Sequence, residues 1–310
     1  MRVKKTKIVV TSGSFSKNET LKSTLLHHFS DVEFNPSSNG LTEQKVIQKL
    51  STAEAAIIGL DPISDAVLKA CPKLKFISKY GVGLDNIDQS ACARSGVKIG
   101  WSGGINKRSV SEMTLGFMLS MCRNLYPSSI LLKNGTWKKN GGYQLSGKTI
   151  GIIGIGNVGK DLISLLQPFK CTILVNDIID QSEYYQAQGI HKKSKTDLFK
   201  EADIVTIHTP LTHETKYMIN KKTLALMKPT SFIINTARGP IIDEKALQFS
   251  LEQKKIAGAA LDVYEAEPPL NQDLINLPTL FCTPHIGGNA AEAVQAMGQS
   301  AISHLKNHFL

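Results

Sequence analysis

Residues 148–160 read KTIGIIGIGNVGK. An apolar run at 150–153 passes without interruption into Gly154-Ile155-Gly156-Asn157-Val158-Gly159, and a helix-compatible pattern starts at Lys160. A buried parallel strand that turns straight into a helix while an anion approaches its backbone needs residues without Cβ. On this reading Gly154 makes the tight turn, Gly156 admits a pyrophosphate and Gly159 lets the helix pack close to the strand. The ligand's charge would rest on the free N–H groups and positive end of that helix. Glycines in this spacing also occur in plain structural turns. The next apolar strand, 172–175, narrows the choice, because it ends in Asn176-Asp177. A carboxylate about 20 residues past the glycines is placed to accept both ribose hydroxyls of NAD and to repel the 2′-phosphate of NADP. The expected ligand is NAD.

The rest of the 310 residues bounds what surrounds this turn. Apolar residues at 42% and charged residues at 20% describe an ordinary globular chain, long enough for two domains of about 150 residues each. The formal net charge of +10 invites a nucleic-acid reading. The lysines, however, are scattered, with no block of like charge and no interleaved aromatics, so a solvated basic surface is expected and no nucleic acid. Such a surface would also favour a small anionic substrate. Cys71, Cys92, Cys122, Cys171 and Cys282 form no CxxC pair and are odd in number, which argues against a disulfide framework or a metal site and for a reducing compartment. The basic start, MRVKKTKIVV, reads as a first strand and not as a signal peptide. No apolar run reaches the roughly 18 residues that span a bilayer. A cytoplasmic protein without membrane attachment is expected.

Short apolar runs alternate with helix-compatible stretches along the whole chain. Strands are expected at 7–10, 55–60, 74–78 and 97–100, with helices at 19–29, 42–50 and 64–70. That alternation predicts a parallel sheet covered by helices. The third of these strands opens into Tyr80-Gly81-Val82-Gly83, whose glycines would expose the N–H groups of Val82 and Gly83 to a carboxylate. A turn followed by an Asp or Asn helix cap explains the same residues equally well. Trp101-Ser102-Gly103-Gly104 is a hinge candidate, and Ser109-Val110-Ser111-Glu112 has the spacing of a capping box, with a helix start as early as Asn106 left open. The helix at 110–125 is apolar nearly all round, as a plain core helix, a helix between domains or a helix against a second subunit would be. Six further strands follow at 149–154, 172–177, 203–209, 231–237, 257–263 and 279–283, the count of a dinucleotide-binding sheet. One helix, 290–309, closes the chain.

Three strand ends in this second half carry chemistry: Arg238, Glu267 and His285. Parallel strands deliver their ends to one crevice, so the three can meet although they are far apart in sequence. Hydride transfer at a carbon bearing oxygen also moves a proton on that oxygen. Histidine does this near neutral pH, and a neighbouring carboxylate raises its pKa and fixes its tautomer. Arginine holds a substrate carboxylate in fixed geometry and polarises the adjacent carbonyl. Each residue alone has an ordinary structural explanation; their joint placement favours catalysis.

Six stretches, KYGVGLDNID (79–88), GIGNVG (154–159), HTPLTHET (208–215), NTARGPIID (235–243), LDVYEAEPP (261–269) and TPHIGG (283–288), resemble those of the D-isomer-specific 2-hydroxyacid dehydrogenases, in the phosphoglycerate dehydrogenase-like branch. The resemblance implies an α/β fold of two Rossmann-like domains, the NAD-binding one (102–285) inserted in a split flavodoxin-like substrate domain (1–101 and 286–310). It implies catalysis by Arg238, Glu267 and His285. It implies that NAD meets Gly154, Gly156, Asn157, Val158 and Gly159 at its pyrophosphate and Asp177 at its adenosine ribose. His208, Thr209, Pro210, Thr215, Thr236, Ala237, Arg238, Asp262, His285, Gly287 and Gly288 would line the remainder. Tyr80, Gly81, Val82, Gly83, Arg238 and His285 would hold the substrate. Members are usually dimers, so a homodimer is expected. The expected reaction interconverts a D-2-hydroxy acid and its 2-oxo acid, with 3-phosphoglycerate and phosphohydroxypyruvate first. Lys79, Lys107 and Arg108 are the cations on offer for a phosphate. The alternatives are a glyoxylate or hydroxypyruvate reductase, and a non-enzymatic NADH-sensing scaffold like the family's corepressors. The family's common TPG-V-N element is replaced by Ser102-Gly103-Gly104-Ile105-Asn106. With the sequence ending at Leu310, control by serine through a C-terminal regulatory domain is not expected.

Overall fold

The computed structural model describes residues 4–37 and 40–310. It contains two wholly parallel sheets. Strands β1 (Ile8–Val10), β2 (Val32–Phe34), β3 (Ala55–Ile58), β4 (Phe76–Lys79) and β5 (Lys98–Gly100) form the first, in the order β2-β1-β3-β4-β5. The second holds β6 (Thr149–Ile153), β7 (Thr172–Asn176), β8 (His191–Lys192), β9 (Ile204–Ile207), β10 (Phe232–Asn235), β11 (Gly258–Leu261) and β12 (Leu280–Cys282). Their order is β12-β11-β10-β9-β6-β7-β8. The first order is that of flavodoxin-like sheets, and the second is the doubly wound dinucleotide-binding order with one strand added at the β12 edge. The expected fold class is thus the observed one.

The chain divides into two compact units, one running to Asn106 and resuming at Gly288–Leu310, the other Lys107–Gly287. Both are built by the same physics. Central strands such as β3 (AAII) and β9 (IVTI) are buried at every position, which a strand covered on both faces requires. In the second unit Leu198, Phe199, Leu224 and Leu247 cover one face. Phe117, Met118, Leu162 and Ile163 cover the other. In the first, the closing helix Ala291–Phe309 lays Met297, Ala301, Ile302 and Leu305 against Ile8, Val10, Leu21 and Leu25. Each fully buried leucine or isoleucine contributes about 1.5–3 kcal/mol of transfer free energy.

Several local expectations are corrected. β2 and β8 are additional to the expected strands: both are sheet edges, and VEF and HK, neither fully buried at any position, offer no apolar run. The second sheet therefore has seven strands, and the Tyr80 loop follows the fourth strand of the first sheet. The helix expected at 110–125 runs Lys107–Cys122, and a second helix, Leu125–Lys133, follows a break at Asn124, whose φ of 50° is left-handed. Ser109 lies inside the first of these helices, so no capping box forms there; its hydroxyl donates to the Gly287 carbonyl at 2.6 Å. Helix Lys107–Cys122 buries Val110, Thr114, Phe117, Met118 and Cys122 within its own unit, packing on helix Asn157–Leu166 and on β10 and β11. Among the described residues no helix is long and apolar enough to cross a membrane, and no cluster of histidine, cysteine or carboxylates could hold a metal ion.

Candidate active site

At the end of β6 the chain turns at Gly154, whose φ is 95°, and enters helix Asn157–Leu166. A Cβ on Gly154 would lie 2.6 Å from the His208 carbonyl oxygen, and one on Gly159 would lie 2.3 Å from the Gly154 oxygen. Both glycines are thus demanded by the protein's own backbone. Gly156 is not. A Cβ there would meet nothing within 4 Å, so the space above it is open. The helix it precedes has no side-chain cap, which leaves its first N–H groups, including those of Asn157 and Val158, directed at that space. An anion at such an end gains about 0.3–1 kcal/mol from the helix dipole.

Past β7, Asp177 accepts from Ile155 N at 2.5 Å and from Ile179 N at 2.8 Å. Each oxygen retains lone pairs for further donors. Gln181 closes the same turn onto the Ile155 carbonyl at 3.1 Å. Past β9, the Thr209 hydroxyl is buried without a hydrogen-bond partner. Thr215 is engaged inside its own loop, donating to the Pro210 carbonyl and accepting from Thr212 N, both at 2.7 Å. His208 shares a hydrogen with Thr206 at 3.0 Å, and burial pushes its imidazole down to about 3. A glycine cradle left open, an uncapped helix start, a fixed carboxylate and an orphaned hydroxyl together fit a dinucleotide.

The strand ends of β10, β11 and β12 carry the remaining groups. His285 Nδ1 lies 2.7 Å from Glu267 Oε2, and each side chain keeps 34% of its surface exposed. The pair is reachable from solvent yet locked together. The hydrogen bond and charge of Glu267 raise the His285 pKa, against burial, with Asp262 adding to the rise and Arg238 opposing it. Burial works to raise the Glu267 carboxyl and is outweighed by His285, the Tyr264 N–H and the Arg238 charge, which hold it below its ordinary value. Arg238 therefore shares the electrostatic field of the pair, as the parallel topology led one to expect. Its guanidinium also donates to the Ala237 carbonyl at 2.7 Å.

His285 itself is left-handed, with φ 53°. The buried carboxylate of Asp262 holds that conformation. It accepts from Thr283 Oγ1 at 2.6 Å, Ile286 N at 2.8 Å and Gly287 N at 2.7 Å. Thr236 meets the Thr114 hydroxyl at 3.0 Å. Some residues that shape the site were not singled out from the sequence. Asn235, fully buried, clamps the arginine turn by accepting from Ala237 N at 3.0 Å and donating to the Arg238 carbonyl at 2.9 Å. Tyr264 donates to the Thr283 carbonyl at 2.8 Å, and a Cβ on Gly239 would overlap the Tyr264 backbone at 1.9 Å. These groups act through main-chain atoms, and no residue spacing announces that.

Tyr80, Gly81, Val82, Gly83 and Gly288 belong to the first unit. Tyr80 is buried, its hydroxyl 3.2 Å from Ser14 Oγ. Gly81 takes φ 133°, and the Val82 carbonyl accepts from Trp101 Nε1 at 2.7 Å. Gly288 packs on Asn106, whose Nδ2 would lie 2.6 Å from a Cβ there. Of the cations offered for a phosphate, Lys79 is buried against the Gly59 carbonyl and Asn86 Oδ1, and Arg108 pairs with Asp161 at 3.0 Å.

Comparison with known proteins agrees with this geometry. The model of the D-isomer specific 2-hydroxyacid dehydrogenase NAD-binding domain matches residues 115–287. A D-3-phosphoglycerate dehydrogenase of Methanocaldococcus jannaschii is 36% identical over 287 residues, covering 91% of this chain but 54% of that protein, so the chain spans about half of that relative's length. A glyoxylate reductase of Pyrococcus furiosus is 33% identical over 285 residues, covering 89% of this chain and 85% of that protein. Among solved structures, a glyoxylate reductase of Paecilomyes thermophila superposes with a TM-score of 0.86 at 25% identity, over 98% of this chain and 95% of that one. The chain belongs to the D-isomer specific 2-hydroxyacid dehydrogenase family, and the cofactor its second unit takes is NAD.

Proposed function

We propose that this protein reduces a small 2-oxo acid to the D-2-hydroxy acid, and runs the reverse oxidation, with Arg238, Glu267 and His285 as its catalytic residues. NAD, when bound, supplies or takes the hydride. The observation that carries the proposal is the 2.7 Å contact between His285 and Glu267, in the field of Arg238. Protonated His285 gives its proton to the carbonyl oxygen as that oxygen gains charge, and Glu267 steadies the imidazolium. Arg238 holds the substrate carboxylate and withdraws charge from the adjacent carbonyl. His208, pushed down to about 3, stays neutral and does not compete for the role. We assign the Val82 and Gly83 amides to the substrate carboxylate as well.

For the substrate we favour glyoxylate or hydroxypyruvate over phosphohydroxypyruvate. Two of the three cations offered for a phosphate, Lys79 and Arg108, are engaged elsewhere. The similarity to a phosphoglycerate dehydrogenase keeps the phosphorylated acid as the second reading. We further assign a homodimer. Helix Leu125–Lys133 has no buried residue yet carries Leu125, Tyr126, Ile130 and Leu132, and Trp137 beyond it is 77% exposed. The five cysteines are free thiols, which fits a reducing cytoplasm.

The test is an NADH-oxidation screen over a panel of 2-oxo acids, with His285→Gln alongside. Expected is a preferred acid whose kcat falls by about 10²–10⁴-fold in the variant while NADH binding holds. Near wild-type turnover by the variant would overturn the assignment. NADH-dependent dimerisation with no turnover on any acid would favour the sensing scaffold instead. Asp177 is tested by the cofactor: a kcat/KM higher with NADPH than with NADH would remove its role.

A further inference from the structure

We propose that Glu244 and Glu265 are a pair of positioning residues that hold the Arg238 turn and the Glu267 loop in register. The proposal rests on the assignment of Arg238, Glu267 and His285 made above.

Glu244 opens helix Glu244–Glu252, which follows the arginine turn, and Glu265 sits on the loop that carries Glu267. The two residues exchange hydrogen bonds crosswise. Glu244 N donates to Glu265 Oε1 at 2.9 Å, and Glu265 N donates to Glu244 Oε1 at 2.7 Å. The first bond is not a local cap. That helix already has its own, Asp243, whose carboxylate accepts from Ala246 N at 3.1 Å. The free N–H at the helix start is instead joined to a different loop, so the bond crosslinks two segments.

Tyr217 adds a third segment. Its hydroxyl donates to Glu265 Oε2 at 3.2 Å and its backbone N–H to the Pro240 carbonyl at 2.9 Å, with φ held at 51°. The arginine turn also touches the Glu267 loop directly, where Gly239 lies against the Tyr264 backbone. Two contacts therefore fix the separation of the loops, one steric and one through the carboxylates. The crosswise bonds set two carboxylates close together, and burial together with the Glu265 charge raises the Glu244 pKa. A surface turn gains nothing from that repulsion. The pairing is kept despite that cost by its two main-chain hydrogen bonds, as a crosslink that fixes where Glu267 meets His285 requires.

The experiment compares Glu265→Ala, Glu265→Gln and Tyr217→Phe with the unaltered protein. Two quantities are read: kcat on the preferred 2-oxo acid, and the titration midpoint of His285 by histidine-labelled NMR. Glu265→Ala removes both acceptors. It is expected to lower kcat by about tenfold to hundredfold and to move the His285 midpoint down, with NADH affinity held. Glu265→Gln keeps an acceptor for Glu244 N and should recover most of both, and Tyr217→Phe should shift both slightly. A His285 midpoint unchanged in folded Glu265→Ala overturns the proposal. If Glu265→Ala does not fold, a Tyr217→Phe midpoint identical to the unaltered protein overturns it. The midpoint is read without turnover, so a protein inactive on every 2-oxo acid would defeat the proposed function and leave this test standing.

Discussion

The two parallel sheets end in opposite ways. At the carboxyl ends of β1, β3 and β4 the first unit fills its crevice with its own polar groups. Thr11 donates to Asp61 at 2.5 Å, Asn35 donates to the Thr11 carbonyl at 3.0 Å, and Asn86 donates to the Asp61 carbonyl at 2.6 Å. Leu41 N takes the other Asp61 oxygen at 3.0 Å, and the Lys79 ammonium is closed in beside Asn86. At the ends of β6, β7 and β9 the second unit leaves an open glycine, an uncapped helix and an unpartnered threonine. Strand ends of an open parallel sheet offer a crevice in either case. Whether it becomes a cofactor site depends on whether the chain satisfies its own donors and acceptors there.

The largest effect that would sharpen this contrast lies at Glu267. Replacing it with glutamine should lower kcat/KM by about 10²-fold and move the pH profile of 2-oxo acid reduction. His285 has a raised pKa, so the protonated form needed for reduction persists above 6.5 and is lost as pH rises through the raised value. Without the carboxylate, burial pulls that limb down towards or below 6.5. Glu267 has a lowered pKa, so its charge is kept above the ordinary 4.5 and lost as pH falls through the lowered value. An unshifted limb in the variant would break the link between the two residues.

Next come the glycines. Gly156→Ala should leave Tm unchanged and weaken NADH by about tenfold, since its methyl enters ligand space. Gly159→Ala should cost about 1–3 kcal/mol of stability, since its methyl enters the Gly154 carbonyl. Equal losses of stability in both would erase the distinction. The smallest expected effect on binding lies in the first unit. Asp61→Ala should remove about 1–3 kcal/mol of stability by orphaning Leu41 N and leaving Thr11 only its longer bond to the Ile57 carbonyl, with NADH affinity unchanged. A calorimetric and fluorescence titration of the same sample separates the two readouts.

The same contrast explains what was legible in the residues alone. The alternation of apolar runs predicted every central strand, because buried strands must be apolar throughout. The edge strands β2 (VEF) and β8 (HK), without an apolar run, were invisible. Gly154, Gly156 and Gly159 were found together although only Gly156 faces open space; spacing records the motif, and the fold separates backbone demand from ligand demand. Glu267 and His285 were legible as types suited to one reaction. Asn235, Glu244, Tyr264 and Glu265 were not, since each acts on a main-chain N–H or carbonyl brought near only by folding. Lys79 misled in the other direction, a cation that the sheet encloses.

The left-handed backbone of His285 bears on which residue can replace it. Most side chains resist that conformation by about 1–2 kcal/mol, whereas asparagine visits it readily. The Asp262 hub that holds the turn makes no use of the imidazole. Exchange of His285 for asparagine is therefore expected to remove the imidazole while the Asp262 turn keeps its hydrogen bonds.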